Sequence, residues 1–200
     1  LIGNKLCHIR DRMKDGFPSE GRLIGNNGYT VQKGYNWLRP KGVKVEWKKF
    51  VWLKEVPLQY CFHNWLMIKM RLLTLDRIGV YITNCPDLCF LCGDVKKNHH
   101  HLFFRCNFSV QCLKLLSAWM QVMIPQDDVW VWWQKKKIKS LMHKKYIGAV
   151  VAILSYRIWF ARNEARLHNY VVHPSIVCKK VKSIIVSLIQ LYGRVNRNDE

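Results

Sequence analysis

Between Cys89 and Cys106 the chain reads C-F-L-C-G-D-V-K-K-N-H-H-H-L-F-F-R-C, four soft metal ligands in the pattern C-x2-C-x8-H-x4-C. Two thiolates separated by two residues grip one ion from a single tight turn, and a His and a Cys just downstream close a tetrahedron around it. A chain carrying this pattern must bring the two ends of a short window to one point. Zinc is the expected occupant, as one structural Zn2+. Isolated cysteines are often buried and inert. A close pair answered by a second His/Cys pair within so few residues favours the metal over that alternative.

His99, His100 and His101 are consecutive, so one of them faces the ion while a short helical turn follows it. We take His101, because Leu102, Phe103 and Phe104 then fill the turn that leads to Cys106 along one helical face. His99 and His100 stay open as replacements. Cys85 is the competing thiol, able to stand in for Cys89 through a looser C-x6-C hairpin near the other three ligands. With four protein ligands no coordination position is left for water or substrate, so the ion is expected to be structural.

Two hundred residues, 50% of them hydrophobic, suffice to bury one sizeable core or two small ones. Four of the eight cysteines fall between positions 85 and 106 with metal spacing, and no secretory leader precedes them, which points to a reducing, intracellular location, nucleus or cytoplasm. The longest apolar run, Tyr146 to Tyr156, stops at Arg157, well short of the ~20 residues needed to cross a bilayer. It is expected to be a buried helix rather than a membrane segment. The chain opens on Leu1 rather than Met, as a fragment or an incomplete gene model would.

The pattern of periods and breakers predicts a mainly α fold: a small helical domain with a CCHC zinc loop, followed by a basic helical hairpin. Residues 1–27 hold scattered charges and the breakers Gly16, Pro18, Gly21 and Gly25, and read as a poorly ordered lead-in. The zinc-binding domain spans 28–124 and the basic C-terminal region 125–200. Trp47, Phe50, Val51 and Leu53 supply one face of a short helix, with Pro57 fitting the first turn of the next. Cys61, Phe62, Trp65, Leu66, Lys69, Leu72 and Leu73 recur at helical spacing, and Thr74 can cap a short helix containing Leu75 and Ile78. Phe108, Cys112, Leu115, Leu116, Trp119 and Met123 mark another helix. A long helix is expected from Ser140 to His168. Pro174 opens the last one, whose stripe of Val177, Val181, Ile184, Ile185 and Leu188 wants a partner surface. Phe62, Trp65, Leu66, Leu72, Phe103 and Trp119 are expected to share one core, with Trp47 and Trp52 also buried.

Positive charge decides which function classes remain. There are 33 Lys and Arg against 13 Asp and Glu, a formal net charge of +20, far beyond what solubility requires. Such an excess attracts polyanions, of which nucleic acid is the commonest. The strongest local field comes from Lys135, Lys136, Lys137, Lys139, Lys144 and Lys145, with no Asp or Glu between Asp128 and Glu164 to neutralise it. Trp132 and Trp133 stand beside this run, where exposed rings could stack on bases. A solvated run at a helix start is the competing account. Polymerase and nuclease chemistry need clustered carboxylates that hold two metal ions ~4 Å apart, and the acidic residues here are dispersed. The chain is therefore expected not to be an enzyme, and nothing in it specifies an oligomeric state.

Several segments taken in order carry a family resemblance: G-Y-T-V-Q-K-G-Y-N-W-L (28–38), Trp47 with Val51-Trp52, P-x4-F-x2-W-L (57–66), R-L-L-T-L-D-R-I (71–78), C-F-L-C, and H-L-F-F-R-C-N-F-S (101–109). Over roughly residues 28–119 the chain resembles the reverse-transcriptase zinc-binding domain of plant LINE-type, non-LTR retrotransposons, with a weaker echo in I-W-F-A-R-N-E-A-R (158–166). The resemblance implies Cys89, Cys92, His101 and Cys106 as metal ligands, a position behind a polymerase in a larger polyprotein, and RNA or DNA as partner. It also admits a module that docks on the polymerase, or an isolated genomic remnant without a cellular role. Two departures stand out. Lys97-Asn98 occupies the place where a Glu-Thr pair usually precedes the ligand His, which puts the fine structure of the loop in question. Leu58 replaces the usual basic residue after the proline.

Overall fold

The computed structural model describes residues 45–78, 88–94, 98–125, 129 and 141–198, and the regular structure among them is entirely helical. The helices are α1 (Lys48–Val51), α2 (Leu58–Ile68), α3 (Leu75–Ile78), a five-residue π-helix (His101–Arg105), α4 (Asn107–Met120), α5 (Leu141–His168) and α6 (Pro174–Asn198). The mainly α fold class with its Cys/His cluster is thus the observed one. The expected lead-in, the segment 28–38, Cys85 and the run from Trp130 to Lys139 lie outside the described residues.

The long helix α5 organises the rest. From Ile147 to Ser155 every residue is buried, because α1, α2 and the π-helix pack on it and α6 packs along it, so no side of the turn is left to solvent. The apolar run that could have suggested a membrane segment is this buried stretch, and no helix among the described residues is long and apolar enough to cross a membrane. Gly148 lets the α1–α2 connection come close: a Cβ there would meet Leu53 Cδ1 at 3.2 Å. Helix α6 inserts its predicted stripe, with Val177, Val181 and Ile185 buried and Ile184 and Leu188 partly so. Its partner surface includes α4 as well as α5.

Helix α2 turns a different side to the core than the apolar spacing predicts. Its buried residues are Tyr60, Cys61, His63, Asn64 and Met67. Phe62, expected inside, is 50% exposed, and Trp65 and Leu66 are only partly covered. Asn64 is fully buried, whereas Leu58, Phe62 and Lys69 share the opposite face of the helix at i, i+4 and i+11. Trp52 is also more open than expected, at 38%. Pro57 stands one step ahead of its predicted place, as the residue before the first helical turn.

The chain leaves α2 through a paired hydrogen-bond turn. The Met70 amide donates to the Met67 carbonyl at 2.9 Å and the Arg71 amide to the Leu66 carbonyl at 2.8 Å, the two bonds of a Schellman motif. Met70 itself takes the left-handed conformation, φ 50°. Gln121 ends α4 by the same pair of bonds, to Ala118 and from Val122 to Ser117, with φ 53°. Beyond α2, Thr74 does precede α3, but its buried hydroxyl makes no hydrogen bond and so supplies no side-chain cap.

Candidate metal centre

Two backbone devices build the site. The first is a tight turn at Cys89, where the Gly93 amide donates to the Cys89 carbonyl at 2.8 Å and the Cys89 amide to the Asp94 carbonyl at 2.7 Å. Gly93 adopts φ 75°, a conformation that suits a residue without Cβ. The turn folds Cys92 back beside Cys89. The second device is the π-helix, in which the Cys106 amide donates to the His101 carbonyl five residues back, at 2.6 Å. In an α-helix residues five apart are about 140° apart around the axis. The wider π-turn brings His101 and Cys106 to the same side, so the x4 spacing is served by a π-turn and not by the ordinary helical face expected from the sequence.

Asn98 starts this segment. Its Oδ1 accepts from the His101 amide at 2.8 Å while its carbonyl accepts from Leu102 at 3.0 Å. That is what a capping side chain does for the first free amides of a helical turn. The residue that departs from the family pattern therefore supplies a cap of its own. Ser109 ties the far end, its hydroxyl donating to the Leu102 carbonyl at 2.5 Å.

Four ligand atoms meet at this place. Those of Cys89, Cys92, His101 and Cys106 all lie within 4.8 Å of one another. Cys89 Sγ is 3.9 Å from Cys106 Sγ, and Cys92 Sγ is 3.3 Å from His101 Nε2. A tetrahedron with Zn–S of ~2.3 Å has sulfur–sulfur edges of about 3.8 Å, and its S–N edges are a little shorter. Cys89, His101 and Cys106 are buried and Cys92 is half-buried, so the site is closed to bulk solvent on most sides.

The electrostatics favour a cation. A hydrogen bond from the Cys106 thiol, joined by the amides of Leu91 and Cys92, pulls Cys89 down to about 4. Cys106 is pushed far up by that same pairing with Cys89 and by its burial. Burial raises Cys92 as well. Three sulfurs crowded into one pocket cannot all shed their protons alone, and a divalent ion that neutralises them removes the conflict. The donor set and its geometry fit one metal ion with no open position.

The competing histidines point elsewhere. His99 is buried with its ring 4.9 Å from that of Phe103, and His100 packs 5.6 Å from Phe104. Among the other described thiols, Cys61 bonds to the carbonyls of Leu53 and Val56, while Cys112 and Cys178 interact between α4 and α6. None of these joins the cluster.

Of the predicted basic run only Lys144 and Lys145 are described, and Lys135, Lys136, Lys137 and Lys139 lie outside the described residues. Lys145 Nζ donates to Glu55 Oε1 at 2.5 Å, a pairing that holds the Glu55 carboxyl below its usual range. The sequence around Lys145 contains no acid, yet one ninety residues upstream reaches it. Nothing in the local sequence signals that partner. The cap at Asn98 was more accessible, as an Asn three residues before the ligand His.

Residues 29–112 match the family model described as zinc-binding in reverse transcriptase, and the matched segment carries all four converging ligands. No curated protein and no solved structure matches the chain.

Proposed function

We propose that this chain is a zinc-ordered, non-catalytic module from the region behind a LINE-type, non-LTR reverse transcriptase of plant origin, and that it binds RNA or DNA with weak sequence selectivity. The observation that carries this reading is the convergence of Cys89, Cys92, His101 and Cys106 inside a segment matched to a reverse-transcriptase zinc-binding family. The net charge of +20 supplies the attraction to phosphates. The ion holds the loop and the π-turn together and takes no part in chemistry, since all four positions around it are filled by protein.

The test measures zinc content and nucleic-acid binding on the same protein at two salt concentrations. One zinc per chain and affinity that falls steeply with salt are expected. Exchanging Lys135, Lys136 and Lys137 for Gln should weaken RNA and DNA binding alike and reduce the salt slope by about two to three units. Metal-loaded protein that binds neither polymer would sink the nucleic-acid reading.

A second reading, docking on a polymerase domain, draws on an apolar groove of about 250 Å³ lined by Leu53, Tyr146, Ala149, Ile185, Leu188 and Ile189. Capture of a reverse-transcriptase domain in trans, without a salt-dependent nucleic-acid shift, would select it.

A further inference from the structure

The outward face of α2 runs from half-buried Trp65 and Leu66, packed at the edge of the core, to side chains open to solvent. Leu58, Phe62, Trp65, Leu66 and Lys69 lie on it, with Leu58 71% and Phe62 50% exposed. The Phe62 and Trp65 rings are 5.5 Å apart and tilted by only 35°, so they form a broad, slightly bent aromatic surface. Cations border it. The Arg71 guanidinium lies 5.9 Å from the Trp65 ring centre, and Lys69 Nζ lies 5.0 Å from that of Trp47 at the start of α1. The left-handed Met70 is what brings Arg71 back toward the helix it has just left. Arg77 returns to the same turn, donating to the Met70 carbonyl at 2.5 Å.

The stretch of sequence that forms this face carries no acid. Between Glu55 and Asp76 the chain has none, and Glu55 is engaged by Lys145. An apolar face kept for a protein core would not need bordering cations, and a purely electrostatic patch would not need an exposed ring set against a half-buried one. Aromatic faces interleaved with Arg and Lys suit unpaired bases on a phosphate backbone, because every base offers a π-face and every phosphate a charge.

We propose that Phe62 and Trp65 form a stacking platform for single-stranded RNA or DNA, with Lys69 and Arg71 contacting the adjacent phosphates. This deepens the nucleic-acid reading above and rests on it. Bases stack on the open side of Phe62, the more exposed ring, while Trp65 supports it from below. Duplex nucleic acid, whose bases are already stacked, gains only the charge contacts.

The experiment uses the full zinc-loaded chain with labelled oligo(dT) and oligo(rU) of about 20 nucleotides and a duplex of equal length. Phe62→Ala and Arg71→Gln are tested singly, both at exposed positions, with zinc content and helix content as folding controls. Phe62→Ala should weaken single-strand binding about tenfold and change duplex binding less than twofold. Arg71→Gln should lower the salt slope for single strands by about 0.7. Equal losses on single strand and duplex, or no loss in either folded variant while the wild-type chain still binds, would overturn the platform and leave nucleic-acid binding in place. No binding of any probe by the zinc-loaded wild-type chain would overturn both. Loss of reverse-transcriptase capture in Phe62→Ala, with single-strand binding intact, would reassign the face to a protein partner.

Discussion

The metal centre and the α2–α5 interface both bury polar side chains, and they handle them in opposite ways. At the metal centre four donor atoms lie within 4.8 Å of each other, an arrangement that a single cation can satisfy. On the inner side of α2, Asn64 is fully buried and neither end of its amide has a partner. Beside it His63 Nδ1 is 3.4 Å from the Ser155 hydroxyl, which itself donates to the Ala152 carbonyl at 2.9 Å, while Nε2 has no partner. The rings of Tyr156, Trp159 and Phe103 surround the imidazole. Burial holds His63 near 4, helped by the neighbouring His99. Convergence of polar atoms marks a binding site; the same atoms scattered through an interface lower stability.

The sharpest way to test the convergence is to remove one thiol from the cluster and one buried thiol from outside it. Cys106→Ser should abolish stoichiometric zinc and unfold the window from Cys89, since apparent binding energies of structural zinc reach about 10–16 kcal/mol in small peptides. Cys112→Ser should leave zinc content at one per chain and lower the melting temperature only modestly. Equal metal content in the two variants would mean that the four atoms converge without binding.

Acid tests the other region. The folded pKa of His63 lies below its unfolded value near 6.5, so the unfolded chain binds the extra proton first. The stability contributed by neutral His63 is complete above pH 6.5 and is lost as pH falls toward 4, at up to about 1.4 kcal/mol per pH unit. Denaturant unfolding of wild type and His63→Phe should therefore converge or cross between pH 6.5 and 4. Parallel curves over that range would show that the imidazole is not held neutral.

The smallest expected effect has the opposite sign. Asn64→Leu replaces an unpaired buried amide with an apolar side chain of similar size, and should raise stability by about 1–3 kcal/mol without altering zinc content. A destabilised variant would show that Asn64 makes a bond essential to the interface.

What was readable in advance follows from the same difference. Metal ligation fixes residue types at fixed spacing, so Cys89, Cys92, His101 and Cys106 could be put forward from the string, with Cys85, His99 and His100 as alternatives. The π-turn could not, although a gap of five between two ligands is the trace it leaves. The helices α5 and α6 were legible through long apolar periods and Pro174. The inner face of α2 was not, because Phe62 and Trp65 follow the helical period as well as any core residue while the residues that do go inside include His63 and Asn64. Helix ends were equally silent: Met70, Gln121 and Asn169 take left-handed conformations where glycine is the usual signal. Lys145 looked free because its acid lies ninety residues away.

That long separation has a consequence for how the molecule comes into being. The metal window closes a loop between residues 17 apart, whereas His63 meets Ser155 across 92 positions. Short loops close at lower entropic cost, and synthesis proceeds from the N-terminus at roughly 5–20 residues per second. For several seconds a nascent chain can therefore hold its ion while the inner side of α2, with Cys61 and Met67, has nothing to cover it. A stalled or truncated product ending near Pro125 would be metal-loaded and adhesive at once, a species for chaperones to meet before the long helix arrives.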